Sequence, residues 1–462
     1  MSSGERALRE GYSSQAASSV SAWQTTADGR SLLQPQKSIP LSSDLSGATN
    51  IIDVDQTARF QRMVGFGAAI TGASAWLINR RLSERRRADL MKSLFDPAAG
   101  IGLSFMRLTI GASDFSLDSY TYDDVPAGTN DSDLQNFSID RERADLIPVV
   151  KQARSLNANL SFMATPWSAP AWMKTTRTLN GGSLAPESYD TYARYFVRYL
   201  RAFAAEGISM HAVSAQNEPA HEAGYPTMRM SASEQATFIG MHLGPLLARE
   251  GLTTKILGFD HNWNTPEYPL ALLADARASQ YLAGSAFHCY AGDVSAQSTV
   301  RDAFPAKDIY FTECSGGEWA TDFGANLAWN VRHLIIGAAR NWARSVLLWN
   351  VALDPSGGPT NGGCSNCRGV VTINPSSGRV KYNVEYYALG HASKFVVPEA
   401  QRIASESPSP SGLLTVAFLN PDGSRVLIVL NSAAESLTFK VRSSGQSFTA
   451  TMPAGAVATY KW

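Results

Sequence analysis

An excess charge of either sign is absent from this chain: 40 Lys and Arg balance 40 Asp and Glu, and charged residues make up 17% of its 462 residues. Such a surface carries no electrostatic footprint for nucleic acid or anionic lipid, so no nucleic-acid partner is expected. Long apolar runs are missing as well. The most apolar stretch, residues 334–353, is broken by Arg340, Asn341 and Arg344, short of the ~18 uninterrupted residues of a membrane span. No integral membrane segment is expected. Met1-Ser2-Ser3-Gly4-Glu5-Arg6 opens no apolar h-region, so no secretory signal is expected within this chain.

Cysteine is scarce. Cys289, Cys314, Cys364 and Cys367 are too few and too scattered for a disulfide framework, and Cys364-Ser365-Asn366-Cys367 is the one close pair. Two soft ligands without a second CxxC or an HxxxH do not complete a tetrahedral zinc site. A thioredoxin-like βαβ pattern does not precede them. The pair reads as a loop staple or as unpaired structural thiols, and neither metal nor cofactor is expected.

What is present is apolar mass, 44% of residues, with 36 Gly and 22 Pro as punctuation. That composition excludes a disordered linker, and the length favours two domains. Short apolar runs at 65–70, 104–110, 160–166, 211–216, 255–259, 286–290, 309–312 and 346–350 read as eight strands. Segments of helical period lie between them at 82–95, 142–156, 189–206, 232–250 and 326–342. In the third of these, Tyr192, Tyr195, Phe196, Tyr199, Leu200 and Phe203 form an aromatic stripe opposite Arg194, Arg198 and Arg201, the pattern of core packing.

Eight strands alternating with helices meet the requirement of an α/β (β/α)8 TIM barrel, here over residues 61–397. A doubly wound open sheet is the alternative, but Gly65-Phe66-Gly67-Ala68-Ala69-Ile70 lacks the third glycine of a dinucleotide turn. After Pro398 the pattern changes to short alternating strands at 414–419, 425–431, 436–441 and 447–452, separated by turns such as Asn420-Pro421-Asp422-Gly423. Residues 398–462 are expected to form a side β-sandwich. Residues 22–60, with a hairpin-like turn at Asp28-Gly29, are expected to donate strands to it, and residues 1–21 to form a frayed arm.

In such a barrel the chemistry sits at the C-terminal ends of the strands. Those ends offer Arg107 and Asp114, Trp167, Asn217 and Glu218, Asp260 and His261, His288 and Tyr290, Glu313, and Trp349 with Asn350. Glu218 ends the fourth strand and Glu313 the seventh, which places two carboxyls across the barrel mouth. Glycoside hydrolysis with retention needs such a pair, ~5–5.5 Å apart, one attacking the anomeric carbon while the other protonates the departing oxygen. Trp and Tyr give sugar rings an apolar platform, and Arg, Asn and Asp bond the hydroxyls.

The motifs Gly65-Phe66-Gly67-Ala68-Ala69-Ile70-Thr71, Arg107-Leu108-Thr109-Ile110-Gly111-Ala112-Ser113-Asp114-Phe115-Ser116, Pro166-Trp167-Ser168-Ala169-Pro170-Ala171-Trp172, Gln216-Asn217-Glu218-Pro219, Phe259-Asp260-His261-Asn262-Trp263, Phe287-His288-Cys289-Tyr290, Thr312-Glu313-Cys314-Ser315 and Leu348-Trp349-Asn350 run in order along the chain. Together they resemble glycoside hydrolase family 30, the family of glucosylceramidases and endo-β-1,6-glucanases. The resemblance implies a barrel with a fused sandwich that cleaves β-glycosidic bonds with retention and without metal. It assigns Glu218 as general acid/base and Glu313 as nucleophile, with Arg107, Asp114, Trp167, Asn217, Asp260, His288, Tyr290 and Trp349 binding substrate or orienting the glutamates. An ionised Glu313 is expected to keep Glu218 protonated.

The resemblance further implies a β-D-glucoside substrate, either β-1,6-glucan or a glucosyl lipid, and an extracellular or extracytoplasmic setting. The loop of residues 354–369 differs from that expected of an animal lysosomal glucosylceramidase. A β-xyloside, β-galactoside or β-fucoside is the alternative sugar, and a non-catalytic carbohydrate-binding barrel the alternative class.

Overall fold

The computed structural model describes residues 19–46, 50–407 and 412–462. The expected frayed arm therefore falls largely outside the described residues, and Ser19 to Ser21 already lie in a strand. Barrel strands β1 (Gly65–Ala69), β2 (Phe105–Ile110), β3 (Ser161–Pro166), β4 (Ala212–Ser214), β5 (Lys255–Asn262), β6 (Leu282–His288), β7 (Asp308–Glu313) and β8 (Ala343–Asn350) close on themselves. Every neighbouring pair is parallel. Their near-continuous burial explains why they read as apolar runs rather than alternating ones.

One layer of the barrel interior is filled by Val64, Phe105, Met163, Ala212, Leu257, Ala286, Tyr310 and Leu347, about one residue per strand. Successive inward positions on a strand are two residues apart. Two residues onward stand Arg107, Thr165, Ser214, His288, Thr312 and Trp349, so an apolar plug is followed by a polar layer at the C-terminal end. β5 breaks the count. Phe259 and Asp260 both take left-handed backbone (φ 70° and 66°), and the β5–β6 register slips there. The extra residue puts Asp260, three positions beyond Leu257, among the polar groups.

The helices match the periodic segments with small shifts set by their caps. Ser83 caps Glu84–Phe95 by accepting from the Arg86 amide, and Ser231 with Glu234 forms a capping box at the start of Ala232–Thr237. Tyr192, Tyr195 and Tyr199 are fully buried, and the Tyr199 ring stacks on Tyr122 at 5.9 Å. No described helix is long and apolar enough to cross a membrane.

The side domain is built from both ends of the chain. Ser19–Thr25 pairs antiparallel with Val457–Lys461, and the long strand Ile51–Arg62 lies between Gln401–Glu406 and Leu437–Ser443. The strands at 401–406 and 457–461 escaped the sequence reading. Barrel and side domain share core: Phe66 of β1 meets Phe418 of the strand Leu413–Leu419 edge-on at 6.3 Å. Arg340 also reaches across to the Thr415 carbonyl at 2.6 Å.

Candidate active site

The polar layer converges on Asp260, which is fully buried. Its Oδ2 accepts from Arg107 Nη2 at 2.9 Å and from the hydroxyls of Ser214 and Thr165. Its Oδ1 accepts from His288 Nε2 at 3.0 Å and Thr312 Oγ1 at 2.7 Å. Burial opposes a charge on Asp260, but Arg107 and His288 outweigh it and hold the carboxyl well below its usual range. Arg107, also fully buried, donates to Glu313 Oε2 through Nη1 and to Asn217 Oδ1 through Nη2 at 2.8 Å.

The two glutamates sit above this anchor. Glu218 follows β4 at φ 42°, a left-handed conformation uncommon outside glycine and held here by its amide donating to the Asp260 carbonyl at 3.0 Å. Its Oε1 lies 3.0 Å from His288 Nδ1, and Glu313 Oε1 lies 3.9 Å from the same nitrogen. The two oxygens are thus at most about 7 Å apart, which spans the ~5–5.5 Å spacing of double displacement and excludes most of the ~6.5–9.5 Å range of single displacement. Glu313 Oε1 also accepts from the Tyr290 hydroxyl at 2.8 Å.

Both His288 nitrogens face carboxylates. Burial alone would discharge the ring, but Glu313, Asp260 and Glu218 outweigh it and push it up to about 9. The resulting imidazolium corrects the expectation for Glu218. Burial drives that carboxyl upward, yet the His288 hydrogen bond and charge bring it below the ordinary range. Burial pushes Glu313 above the ordinary range, with His288 and Arg107 offsetting it in part. Arg107 and His288 carry two positive charges against three carboxylates, so one added proton neutralises the cluster, and the glutamates take it up as a pair. Glu313 has a donor on each oxygen. Among the described residues nothing bonds the second oxygen of Glu218, which leaves that oxygen open to a proton.

Trp167 and Trp349 stack at 4.9 Å with 15° between their planes, and the Arg107 guanidinium lies 4.9 Å from the Trp167 ring. Asp114 is brought beside them by the loop after β2. Its Oδ1 is buried without a partner, and burial together with the charges of Glu313 and Glu218 raises its carboxyl well above the usual range. A neutral carboxyl with an idle oxygen is suited to a sugar hydroxyl. All ten residues given a role by the family resemblance are therefore gathered at one barrel end.

Three residues of the site, Thr165, Ser214 and Thr312, escaped the sequence reading, whereas His261 is among the strand-end candidates. The three pass for ordinary strand residues, and their common two-residue step from the plug is the signal that would have found them. His261 has its Nδ1 buried without a hydrogen-bond partner, 3.8 Å from Glu218 Oε1. Glu218, His261 and His288 bring one ligand atom each within 4.8 Å of one another. Both His288 nitrogens, however, already face carboxylates, Nδ1 that of Glu218 and Nε2 that of Asp260.

The cysteine reading is corrected for Cys289 and Cys314, whereas the loop-staple reading of Cys364 and Cys367 stands. Cys289 and Cys314 form a disulfide whose Cα atoms are 5.4 Å apart, and Cys364 and Cys367 form a second. The first pair is distant in sequence, but each member directly follows a site residue, His288 or Glu313, and β6 and β7 are neighbours. The second closes a tight turn within the 354–369 loop, and the loop meets the site where the Asn361 amide donates to the Asp114 carbonyl at 2.7 Å.

Residues 63–396 match the Glycosyl hydrolase family 30 TIM-barrel domain, and residues 399–460 match the family's beta sandwich domain. The chain belongs to glycosyl hydrolase family 30. It is 35% identical over 434 residues to the endo-1,6-beta-D-glucanase BGN16.3 of Trichoderma harzianum, covering 88% of this chain and 86% of that protein. It is 32% identical over 450 residues to the lysosomal acid glucosylceramidase of Mus musculus, covering 91% and 85%. The solved endo-beta1,6-glucanase BT3312 superposes with a TM-score of 0.90 at 33% identity, covering 96% of this chain and 99% of that one. This family 30 chain is a glycoside hydrolase of the retaining β-type.

Proposed function

We propose that this site cleaves β-1,6-linked glucan, with Glu313 as nucleophile and Glu218 as general acid/base. The observation that carries the reading is the shared approach of both glutamates to His288 Nδ1, beside two stacked indoles and an unpartnered Asp114 oxygen. In the first step Glu313 attacks the anomeric carbon as Glu218 gives its proton to the glycosidic oxygen, and the aglycone sugar departs. Arg107 and Tyr290 aim the nucleophile. Asn217 bonds the 2-hydroxyl, Asp114 and Trp167 hold the glycone, and Trp349 forms its floor. Once Glu313 is esterified its charge is gone, so Glu218 becomes a stronger acid and then accepts the proton of the attacking water. Water replaces Glu313 at the anomeric carbon and the sugar leaves with retained configuration.

Glucan is favoured over a glucosyl lipid by the stapled 354–369 loop. Gly362 lies against Tyr225 and Gly363 against Asp114 and Phe115, so the loop sets a rigid, narrow, aromatic-lined wall beside the glycone site, which suits a sugar leaving group better than a long acyl chain. The two endo-1,6-glucanase relatives support the same choice. Two disulfides in the described residues favour an extracytoplasmic setting.

Hydrolysis of β-1,6-glucan, detergent-dispersed glucosylceramide and nitrophenyl β-glucoside, β-xyloside, β-galactoside and β-fucoside tests the reading, with Glu313→Gln alongside. The expected result is rapid release from β-1,6-glucan by wild type and none by the variant. Preference for glucosylceramide or for a non-glucosyl sugar would overturn the substrate, and an active Glu313→Gln the mechanism.

A further inference from the structure

Beyond Glu313 the chain runs through Cys314, Ser315 and Gly316 to Trp319 and then into the helix Phe323–Trp329. A helix after a barrel strand returns antiparallel to it, so its first turns share the strand's C-terminal, catalytic end. Between strand end and helix lies a cavity of about 580 Å³ whose lining includes Ser315, Gly316, Trp319, Asp322, Asn326 and Trp329. Trp319 is 57% exposed and Trp329 41% exposed. Single exposed apolar residues need no explanation, but two indoles on one cavity a few residues from the nucleophile do.

Trp319 is held in place. A Cβ added at Gly317 would sit 1.9 Å from its ring, so one side of the indole rests on bare backbone. Gly316–Gly317 pairs antiparallel with Cys367–Arg368. The Arg368 guanidinium, itself bonded to Glu385 at 2.8 Å, donates to the carbonyls of Gly317 and Ala320. Trp329 leans on His333 with ring centroids 5.1 Å apart. The amide nitrogens of Asn326 and Asn330 are spent on backbone carbonyls, while their oxygens accept from no described residue. Fixed indole faces flanked by idle amide oxygens and the Asp322 carboxylate match a pyranose, with its apolar C–H face and hydroxyl rim.

We infer that this cavity is a second sugar site, which holds a glucosyl unit of the β-glucan chain beyond the bond being cleaved. The inference rests on the β-1,6-glucan reading of the catalytic site. Ser315 and Gly316 line the cavity two and three residues after Glu313, so one chain of sugars can engage both sites. A nitrophenyl glucoside, with one sugar, fills the catalytic site alone.

The test compares Trp319→Ala, Trp329→Ala and Trp319→Tyr with wild type on β-1,6-glucan and on nitrophenyl β-glucoside. Both alanine variants are expected to raise KM on the polymer about tenfold while kcat/KM on the aryl glucoside stays within twofold, and the tyrosine to restore most of the polymer KM. Length dependence of binding, read by calorimetry with β-1,6-gluco-oligosaccharides on Glu313→Gln, should flatten when Trp319→Ala is added. Polymer kinetics unchanged by both alanine variants overturn the subsite alone. A parallel fall on both substrates assigns the indoles to structure and overturns it as well. Wild type idle on β-1,6-glucan overturns the substrate reading, and the subsite with it.

Discussion

His288 lies 3.0 Å from Glu218 through Nδ1, and its Nε2 lies 3.0 Å from Asp260. A ring donating to carboxylates on both sides stays protonated in the fold at pH values where the unfolded chain has released the proton. Its folded pKa of about 9 lies above the ordinary 6.5. The stabilisation is therefore complete below pH ~6.5 and lost as pH rises through about 9, and is worth on the order of 3 kcal/mol. Melting curves of wild type should fall across that window, and those of His288→Gln should lack that component of the slope. Parallel curves for the two proteins would contradict the ion-paired imidazolium.

Asp260 holds Arg107 and His288 at once, so Asp260→Asn removes the anion and leaves two buried cations short of a partner. Breaking a buried pair from one side costs about 3–5 kcal/mol. The same change lowers the proton affinity of His288, so the alkaline limb of kcat/KM should move to lower pH. Urea denaturation with a pH profile on nitrophenyl β-glucoside checks both, and an unmoved limb would detach Asp260 from the proton balance of the site.

For Glu218→Ala, glycosylation by an aryl glucoside with a good leaving group should persist, because that step needs little acid assistance, while turnover falls 10²-fold or more. Azide fits the space left by the carboxyl and attacks without a general base. Turnover should recover with formation of a β-glycosyl azide, detectable by NMR. If azide leaves the rate unchanged, the acid/base role belongs elsewhere.

The barrel and the place of the candidate site were legible because parallel strands buried on both faces read as apolar runs, and because the polar residues gathered in the site end those runs. Asp260 shows where such reading stops. Its place in the polar layer depends on an extra residue in left-handed backbone, which neither Phe259 nor Asp260 announces. Arg107 is similar: its position on β2 was evident, but its simultaneous bonds to Glu313, Asn217 and Asp260 come from three other strands or their ends. The Cys289–Cys314 bond was missed for the same reason, since adjacency of β6 and β7 exists only once the barrel closes.

That disulfide ties together the strand ends carrying His288, Tyr290 and Glu313, and closes a loop with sequence separation 25. Chain entropy alone assigns such a cross-link about 3–4 kcal/mol. Cys289→Ser with Cys314→Ser should lower Tm and reduce kcat on the aryl glucoside, since Tyr290 aims Glu313 from the loop that Cys289 anchors. Cys364→Ser with Cys367→Ser, which opens a separation of 3, should instead change mainly KM through the 354–369 rim. An undiminished kcat in the first double variant would limit its bond to stability.

Phe66 and Phe418 join the two domains. The first is on β1 and the second on a side-domain strand, both are fully buried, and they meet edge-on within one continuous apolar cluster. Arg340 bonds from the barrel to the Ser405 and Thr415 carbonyls, and His391 lies between Thr25 and Thr459, 2.8 and 2.9 Å away. Neither domain can leave the other without exposing that cluster and stranding these polar groups. Phe418→Ala removes a ring that the surroundings cannot refill, at a cost of about 3–5 kcal/mol, while the catalytic end of the barrel keeps its geometry. Calorimetry should show one unfolding transition in wild type and one at lower temperature in Phe418→Ala, with kcat/KM on the aryl glucoside nearly unchanged at 25 °C. Two resolved transitions in wild type would mean that the side domain folds independently of the barrel.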